Sequence, residues 1–391
     1  MRFERTAVVV LSATLVFSVL SVFVSGLWPI GAAETISFLL ALAFVLRAAI
    51  QGRIPKGHWL IAPFAGALLW GLLQLLFNRS VYRFGTWSSM LRFAAYFSLF
   101  FATLQIFGFR KIRESFRLGA IYFGCLLAGE AIIQRFTSGG KIFWMLSTEN
   151  TARAMGPFVN PDHYCAFIEL IFPLALWQAV ANRARTVRFT VIAAVMFASV
   201  ITGASRAGFG LVVAELIFVL IFTRRTGSGV RQKVSLQVIA GTVSLILIFG
   251  SVVGWGVLLD RFQEPEQFKI RWQLWQSSWR MLMNRPWMGF GLGTWETVYP
   301  AYAIFDPGAR ADHAHNDWIE WADEGGLPFA GMLLVIAGTS LRLAVRYPWG
   351  VGVAAVFLHS FVDFPLQEPA IVFFLFTIFA AMVQESRQDN A

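Results

Sequence analysis

The sequence has few charged residues and few cysteines. Only 14% of its 391 residues are charged and 57% are hydrophobic, whereas soluble proteins carry about 25% charged residues. This deficit excludes a soluble globular domain. Cys125 and Cys165 both lie in or beside apolar segments, where a small polarizable side chain packs well. We therefore expect neither a disulfide nor a metal ligand from them.

What the chain has instead is apolar runs from end to end, with a mean hydropathy of +0.63. A helix needs about 20 apolar residues to cross about 30 Å of hydrocarbon. We predict an all-α polytopic membrane protein, a single integral-membrane domain over 1–391 with about twelve transmembrane helices. The first run is longer than the apolar core of a signal peptide, which has about 7–15 residues. We therefore expect this run to be kept as a membrane span. The predicted spans are 7–24, 31–50, 59–77, 88–108, 115–133, 163–181, 187–203, 207–222, 234–258, 327–342, 348–363 and 369–384.

The basic residues predict the orientation of these spans. The net charge of +10 comes from small Lys and Arg clusters between apolar runs, a pattern typical of membrane orientation rather than nucleic-acid binding. With a cytoplasmic N-terminus, more than half of the 32 Lys and Arg residues fall in short cytoplasmic loops, as the positive-inside rule requires. The long connections 134–162 and 259–326 then face outward. We expect the 259–326 loop to carry the active site.

The 259–326 connection is too aromatic for a flexible linker. Its aromatic residues recur at helical spacing in Phe268, Trp272, Trp275 and Trp279. This pattern predicts a helix over 265–283 at the membrane interface, where Trp is enriched. Arg271 and Arg280 flank the stripe and could bind substrate phosphate or only lipid headgroups. The alternating glycines that follow, at 289, 291 and 293, predict tight turns.

The densest polar cluster runs from Asp312 to Gly326. His313, His315 and Asp317 match the start of an H-x-H-x-D-H metal motif, but Trp318 replaces the final histidine. Metal binding is therefore disfavoured. Acid–base chemistry is the alternative, since the ordinary histidine pKa lies near neutrality. A purely structural histidine pair is the other interpretation.

Polar residues at the span edges are further candidates. Arg206 begins an apolar run, and an ionisable group near hydrocarbon is a functional candidate by default. Arg153, Asn160 and His163 lead from the other outer loop into the sixth span. Each of these residues could instead cap a helix or extend toward the interface. Buried Glu169 and Glu215 would suit either a structural ion pair or a proton-coupled transporter.

Together these segments resemble the O-antigen ligase and polymerase family of integral-membrane glycosyltransferases, of the GT-C class. The ligase signature begins with His followed directly by Asn, Ser or Gln. After nine further residues comes a Gly, and after four more comes Gly, Thr or Tyr. His315, Asn316, Gly326 and Gly331 match it. The resemblance covers roughly 150–375. Further similar segments are GPFVNPDHY, GASRAG, RWQLWQSSWRMLMNRPWMGFGLGTW and HSFVDFPLQEPA.

The resemblance implies transfer of a glycan from an undecaprenyl-diphosphate donor to a hydroxyl of a lipid or glycan acceptor. The reaction would invert the anomeric carbon at the periplasmic face of the bacterial inner membrane, in lipopolysaccharide or other cell-envelope polysaccharide synthesis. We expect no cofactor and no metal, because the chain has no Asp-x-Asp motif. Neither do we expect a nucleic-acid partner. The expected catalytic residues are His315, Arg206 and Arg271, and the expected substrate-binding residues are Arg153, Asn160, His163, Arg280, His313 and Asn316.

Several alternatives stay open at this stage. His313 precedes His315 and could be the base in its place, although the signature favours His315. A polymerase would use the same donor as a ligase, and the His-Asn signature favours the ligase only modestly. A proton-coupled transporter or a membrane-anchored structural protein is disfavoured, because the polar clusters lie at the outer face rather than the midplane.

Overall fold

The computed structural model describes residues 2–147, 153–222, 236–263, 266–306, 308 and 310–389. Within these ranges eight helices are long and apolar enough to cross a membrane. The prediction of an all-α polytopic membrane protein is confirmed. The helices are α1 (Arg2–Leu20), α2 (Trp28–Ile50), α3 (Ile61–Leu76), α4 (Arg83–Ile106), α5 (Arg110–Thr137), α6 (Pro161–Ala181), α7 (Thr186–Gly203), α8 (Arg206–Phe222), α9 (Leu236–Val253), α10 (Gly256–Phe262), α11 (Glu266–Asn284), α12 (Trp295–Val298), α13 (Asp317–Arg346), α14 (Val351–His359) and α15 (Pro369–Asp389).

Every predicted span overlaps a helix, but several differ in extent. The span predicted over 327–342 lies inside α13, which begins earlier, at Asp317. In the span predicted over 234–258, α9 ends before Gly254, which has φ 96°. In the span predicted over 348–363, a 3-10 turn precedes the nine-residue α14, and the chain then leaves the helix after His359. The predicted interfacial helix over 265–283 corresponds to α11, although Pro265 itself lies outside the described residues.

The connections between helices gather at the two ends of the bundle. At one end the Arg113 guanidinium on α5 donates a hydrogen bond to α15. At the other end the Val81 amide donates to the Phe290 carbonyl at 2.8 Å, and Arg271 pairs with Asp162. The two long connections predicted to face outward therefore lie at the same end of the molecule. Helices α6 and α15 are almost fully enclosed by the others.

Helix α13 is interrupted at the signature glycine Gly326, whose φ and ψ are 74° and 175°. A Cβ atom at this position would collide with the backbone carbonyl of Trp287. Glycine is therefore required both for the positive φ and for the close approach of the chain after α11. The Leu327 amide donates to the Pro286 carbonyl at 2.8 Å and holds the two segments together.

The segment after α11 makes the tight turns that its glycines predict. All three have positive φ, with 64° at Gly289, 110° at Gly291 and 67° at Gly293. The Phe290 amide donates to Asp323 O and the Gly291 amide to Glu324 O, both at 2.9 Å. These bonds fix the glycine-rich segment against the first half of α13.

Gln74 on α3 makes further hydrogen bonds to the backbone of these turns and of α13. Its Nε2 donates to the Met288 and Glu324 carbonyls at 2.6 and 2.7 Å, and its Oε1 accepts from the Leu292 amide at 3.2 Å. Irregular backbone within a membrane protein persists only where its polar groups find partners inside the protein. Gln74 therefore stabilises the irregular chain that leads to the histidine cluster.

Candidate active site

His315 lies directly before α13 in a left-handed backbone conformation, with φ 51°. Non-glycine residues adopt this region uncommonly, at a cost of order 1–3 kcal/mol, and such residues cluster at functional sites. The indole nitrogen of Trp275 on α11 donates to the His315 carbonyl at 3.2 Å. The imidazole Nδ1 lies 3.0 Å from Asp363 Oδ1. The ring is therefore oriented by a buried carboxylate.

Asp363 follows α14 and is only 1% exposed. Burial opposes its ionisation, but the Arg271 guanidinium, together with the hydrogen bond from His315, holds the pKa of Asp363 well below its usual range. An ionised carboxylate only accepts hydrogen bonds, so His315 Nδ1 is the donor. In the neutral ring the lone pair is then on Nε2. This is the arrangement of an imidazole prepared to accept a proton.

Arg271 on α11 connects three parts of the chain. Its Nη1 donates to the Val362 carbonyl at 2.6 Å. Its Nη2 lies 3.4 Å from Asp162 Oδ2, in the first turn of α6, and 3.3 Å from Asp363 Oδ2. The guanidinium is thus fixed between two carboxylates, and its planar fork allows these contacts in one conformation.

His313 is in a different environment from His315. Its Nδ1 donates to Glu320 Oε1 at 2.8 Å, while Glu320 Oε2 accepts from the Ala314 amide, also at 2.8 Å. Burial disfavours the charged ring, but the Glu320 carboxylate outweighs this and raises the pKa of His313 to about 9. At neutral pH both ring nitrogens of His313 therefore carry protons. A ring in this state has no lone pair with which to take another proton.

The Phe364 ring brings three of the predicted site residues together. The imidazole centroids of His163, His313 and His315 lie 4.7, 4.5 and 4.7 Å from its centroid. His163 is buried in the first turn of α6. The structure thus places His163, His313, His315 and Arg271 in one cluster.

The two predicted asparagines are helix N-caps. Asn160 accepts from the Asp162 amide at 2.9 Å, with Pro161 at the favoured first position of α6, as this sequence pattern favours. Asn316 accepts from the amides of Trp318 and Ile319 at 3.0 and 3.2 Å. These caps fix where α6 and α13 begin. They therefore help to position His163 in the first turn of α6 and His315 just before α13. Substrate contacts by the asparagines stay a prediction.

The remaining predicted arginines are Arg206, Arg280 and Arg153. Arg206 is the first residue of α8, and its Nη1 donates to the Arg261 carbonyl at 3.2 Å. Nearby Gly208 packs against Cys165 of α6, so Arg206 begins its helix beside the early part of α6. Arg280 is exposed on α11, and Arg153 precedes the turn that leads to α6.

Sequence reasoning assigned no role to Asp363, Glu320 or Phe364. Asp363 and Phe364 do fall in the HSFVDFPLQEPA segment, whose family resemblance was the available signal. A carboxylate in a connection does not reveal its partner, and Asp363 is 48 residues from His315. The contact depends on how α13, α14 and α11 pack.

A buried ion pair lies behind the turn that carries Asp363. His359 Nδ1 and Glu169 Oε1 are 2.8 Å apart, and their side chains are 1% and 0% exposed. The His359 carbonyl accepts from the amides of Val362 and Asp363 at 2.9 and 3.1 Å. Glu169 thus has a structural partner at the end of α14 that supports the Asp363 turn.

The histidine cluster does not form a metal site in the described ranges. No group of three or more His, Cys, Asp and Glu side chains there is arranged to hold a metal ion. His313 and His315 are directed to different carboxylates, Glu320 and Asp363.

The fold and cluster define a multi-pass membrane protein with an Arg–Asp–His site at one end of its helix bundle. The O-antigen ligase family model matches residues 191–336. This match supports assignment to the O-antigen ligase and polymerase family and a function of that type. The matched range contains Arg206, Arg271 and both loop histidines, and it ends before Asp363. No curated protein matches the chain.

Proposed function

We propose that this protein is a ligase-type glycosyltransferase that moves a glycan from undecaprenyl diphosphate to an acceptor hydroxyl. The reaction takes place at the periplasmic face of the bacterial inner membrane. The observation that carries the proposal is the connected series Arg271, Asp363 and His315, with distances of 3.3 and 3.0 Å. It combines a cation suited to a diphosphate with an imidazole suited to an acceptor proton.

The arginines act on the leaving group. The bond between the anomeric carbon and the phosphate oxygen breaks, and its electron pair leaves with the lipid diphosphate. Negative charge grows on that oxygen, and guanidinium groups stabilise such charge through charge-assisted hydrogen bonds. Arg271 and Arg206 are assigned to this role, with Arg153 and Arg280 as further donor contacts.

His315 acts on the acceptor. Its Nε2 takes the proton from the acceptor hydroxyl while the oxygen forms a bond to the anomeric carbon. Direct attack opposite the leaving group inverts the anomeric configuration. Asp363 keeps Nδ1–H oriented and stabilises the imidazolium that forms, so Asp363 is a positioning residue. His313, His163 and Asn316 are assigned to acceptor binding.

A deletion strain tests the function and separates its two forms. A ligase leaves unligated long glycans on the lipid carrier when the gene is removed, which is the result we expect. Single unpolymerised repeat units on the carrier would assign the protein to polymerases with the same donor. An unchanged pool of lipid-linked glycan would contradict both forms of the proposal.

The transfer is expected to need no divalent metal. The chain lacks an Asp-x-Asp motif, and arginine supplies the positive charge in the proposed mechanism. Purified protein assayed in excess chelator should keep its full rate. A loss of activity that zinc or magnesium restores would contradict this expectation and would reinstate a metal role for the loop histidines.

The site is expected to face the periplasm. Cysteines placed at the exposed positions of Ser147 and Ala303 should react with a membrane-impermeant thiol reagent in intact cells with a permeabilised outer membrane. A cysteine at exposed Gln51, at the opposite end of the bundle, should react only after lysis. The reverse pattern would place the site in the cytoplasm and remove the periplasmic reaction.

A further inference from the structure

A cavity of about 430 Å³ opens beside His313 at the end of the bundle that carries the candidate active site. Small-molecule sites have volumes of about 300–1,000 Å³. One side is formed by α2 and α4, and the other by the glycine-rich segment and the start of α13. His313 and Glu320 lie in its wall, but Arg271 and Arg206 do not.

The charges in this cavity are unlike those expected for a diphosphate site. Two basic side chains, Arg92 and His313, face five carboxyl groups, which belong to Glu34, Glu296, Asp312, Glu320 and Glu324. Of these, Glu296 is paired with Arg310, and burial raises the pKa of Glu324 to about 7. His313 Nδ1 is hydrogen-bonded to Glu320 at 2.8 Å. Arg92 Nε lies 3.9 Å from Glu34, near enough for charge attraction but not for a hydrogen bond, and it has no hydrogen-bond partner among the described residues. The excess of carboxylates repels anions and attracts neutral hydrogen-bond donors or cations.

The other groups in the wall suit a ligand with both apolar and hydroxyl-bearing surfaces. Ser88 and Ser89 provide hydroxyl groups, and Tyr82 and Phe84 provide aromatic surface at the mouth. Gln367 also lines the cavity, and its buried Nε2 has no hydrogen-bond partner among the described residues. An unpaired buried amide donor favours a ligand oxygen. A sugar ring, with apolar C–H faces and hydroxyl edges, combines these features.

We propose that this cavity binds an uncharged or amino sugar, the acceptor sugar of the transfer reaction. The assignment of the sugar as acceptor rests on the proposed function; the binding of a sugar does not. His313 in the cavity wall and His315 contact the same Phe364 ring. A sugar in the cavity therefore binds beside His313, which shares the Phe364 ring with the assigned base, while the diphosphate lies on the arginines outside the cavity.

Sugar binding can be measured without any transfer reaction. Full-length protein in detergent is incubated with glucose, glucosamine or glucuronate, and contact is detected by saturation-transfer NMR. Glucose and glucosamine should give saturation transfer, and glucuronate should give at least tenfold less. Equal binding of glucuronate, or no binding of glucose and glucosamine, would overturn the proposal.

Two variants locate the binding. Ser88→Phe places a large ring in the cavity and should reduce glucose binding at least tenfold. Glu34→Gln keeps the shape of the cavity and removes one carboxylate. It should reduce the ratio of glucosamine binding to glucuronate binding. Thermal melting shows whether each variant folds. If one variant does not fold, the other variant alone tests whether the sugar binds in this cavity. Unchanged binding and selectivity in the folded variants would overturn the proposal.

The same variants separate this proposal from the proposed function. In a transfer assay, Ser88→Phe should raise the acceptor KM at least tenfold and leave donor binding unchanged. A raised donor KM alone would overturn the acceptor subsite and leave the transferase function standing. Cavity-dependent sugar binding by a wild-type protein without transfer activity would support the sugar site and contradict the function.

Discussion

Replacing His315 with alanine is expected to lower turnover by roughly 100-fold or more, the usual scale for loss of a general base. Binding of the lipid-diphosphate donor should remain nearly unchanged. The reason is geometric: Asp363 accepts from His315 Nδ1 at 3.0 Å, which leaves Nε2 for the acceptor proton. Turnover and donor affinity are measured separately on protein in lipid nanodiscs.

His313 provides the comparison for this prediction. Its ring is paired with Glu320 at 2.8 Å, and its pKa is raised to about 9, so it carries its proton at neutral pH. His313→Ala should therefore lower turnover less than His315→Ala. His58, at the opposite end of the bundle, is the matched control, and His58→Ala should keep the wild-type rate. If His313→Ala abolishes turnover while His315→Ala retains it, the assigned base is wrong.

Replacing Arg271 with alanine is expected to damage donor binding and turnover together. Hydrogen bonds to charged groups contribute about 1.5–3 kcal/mol, so donor affinity should fall by roughly tenfold or more. Turnover should fall further, because Arg271 also holds Asp363 at 3.3 Å and thereby the orientation of His315. The measurements are donor dissociation constant and single-turnover rate.

Lysine is expected to rescue position 271 poorly. The guanidinium donates to the Val362 carbonyl through Nη1 and contacts Asp162 and Asp363 through Nη2. A single ammonium group cannot reproduce this planar fork. Lys269, exposed on the same helix, is the control, and Lys269→Ala should behave as wild type. Full activity of Arg271→Lys, or wild-type donor affinity of Arg271→Ala, would contradict the assignment to the diphosphate.

The helix positions could be predicted from hydropathy because each span must supply about 20 apolar residues. The breaks inside the helices could not be predicted in this way. Gly326 interrupts α13 because the backbone at Trp287 passes against it, and a hydropathy window contains no information about this distant segment. The short α14 likewise depends on the turn that follows His359.

The site could be predicted in part. His315 was identified by the signature, and Arg271 by a basic residue within an aromatic helix. Their partner Asp363 could not be assigned, because the contact joins residues 48 positions apart in sequence. Asn160 is predicted as a polar residue at a span edge and Asn316 through the ligase signature, and the structure shows that both are helix caps.

The central claim is that the Arg271, Asp363 and His315 site transfers a glycan from a lipid diphosphate to a hydroxyl. The most direct measurement uses purified protein in nanodiscs with a lipid-diphosphate-linked glycan and an acceptor extract. Release of lipid diphosphate and the anomeric configuration of the product are followed by NMR. The account predicts that one lipid diphosphate is released for each glycan transferred, and that the anomeric configuration is inverted in the product. Both the release and the transfer should be lost in His315→Ala. Transfer with retained configuration, or an equal rate in His315→Ala, would contradict it.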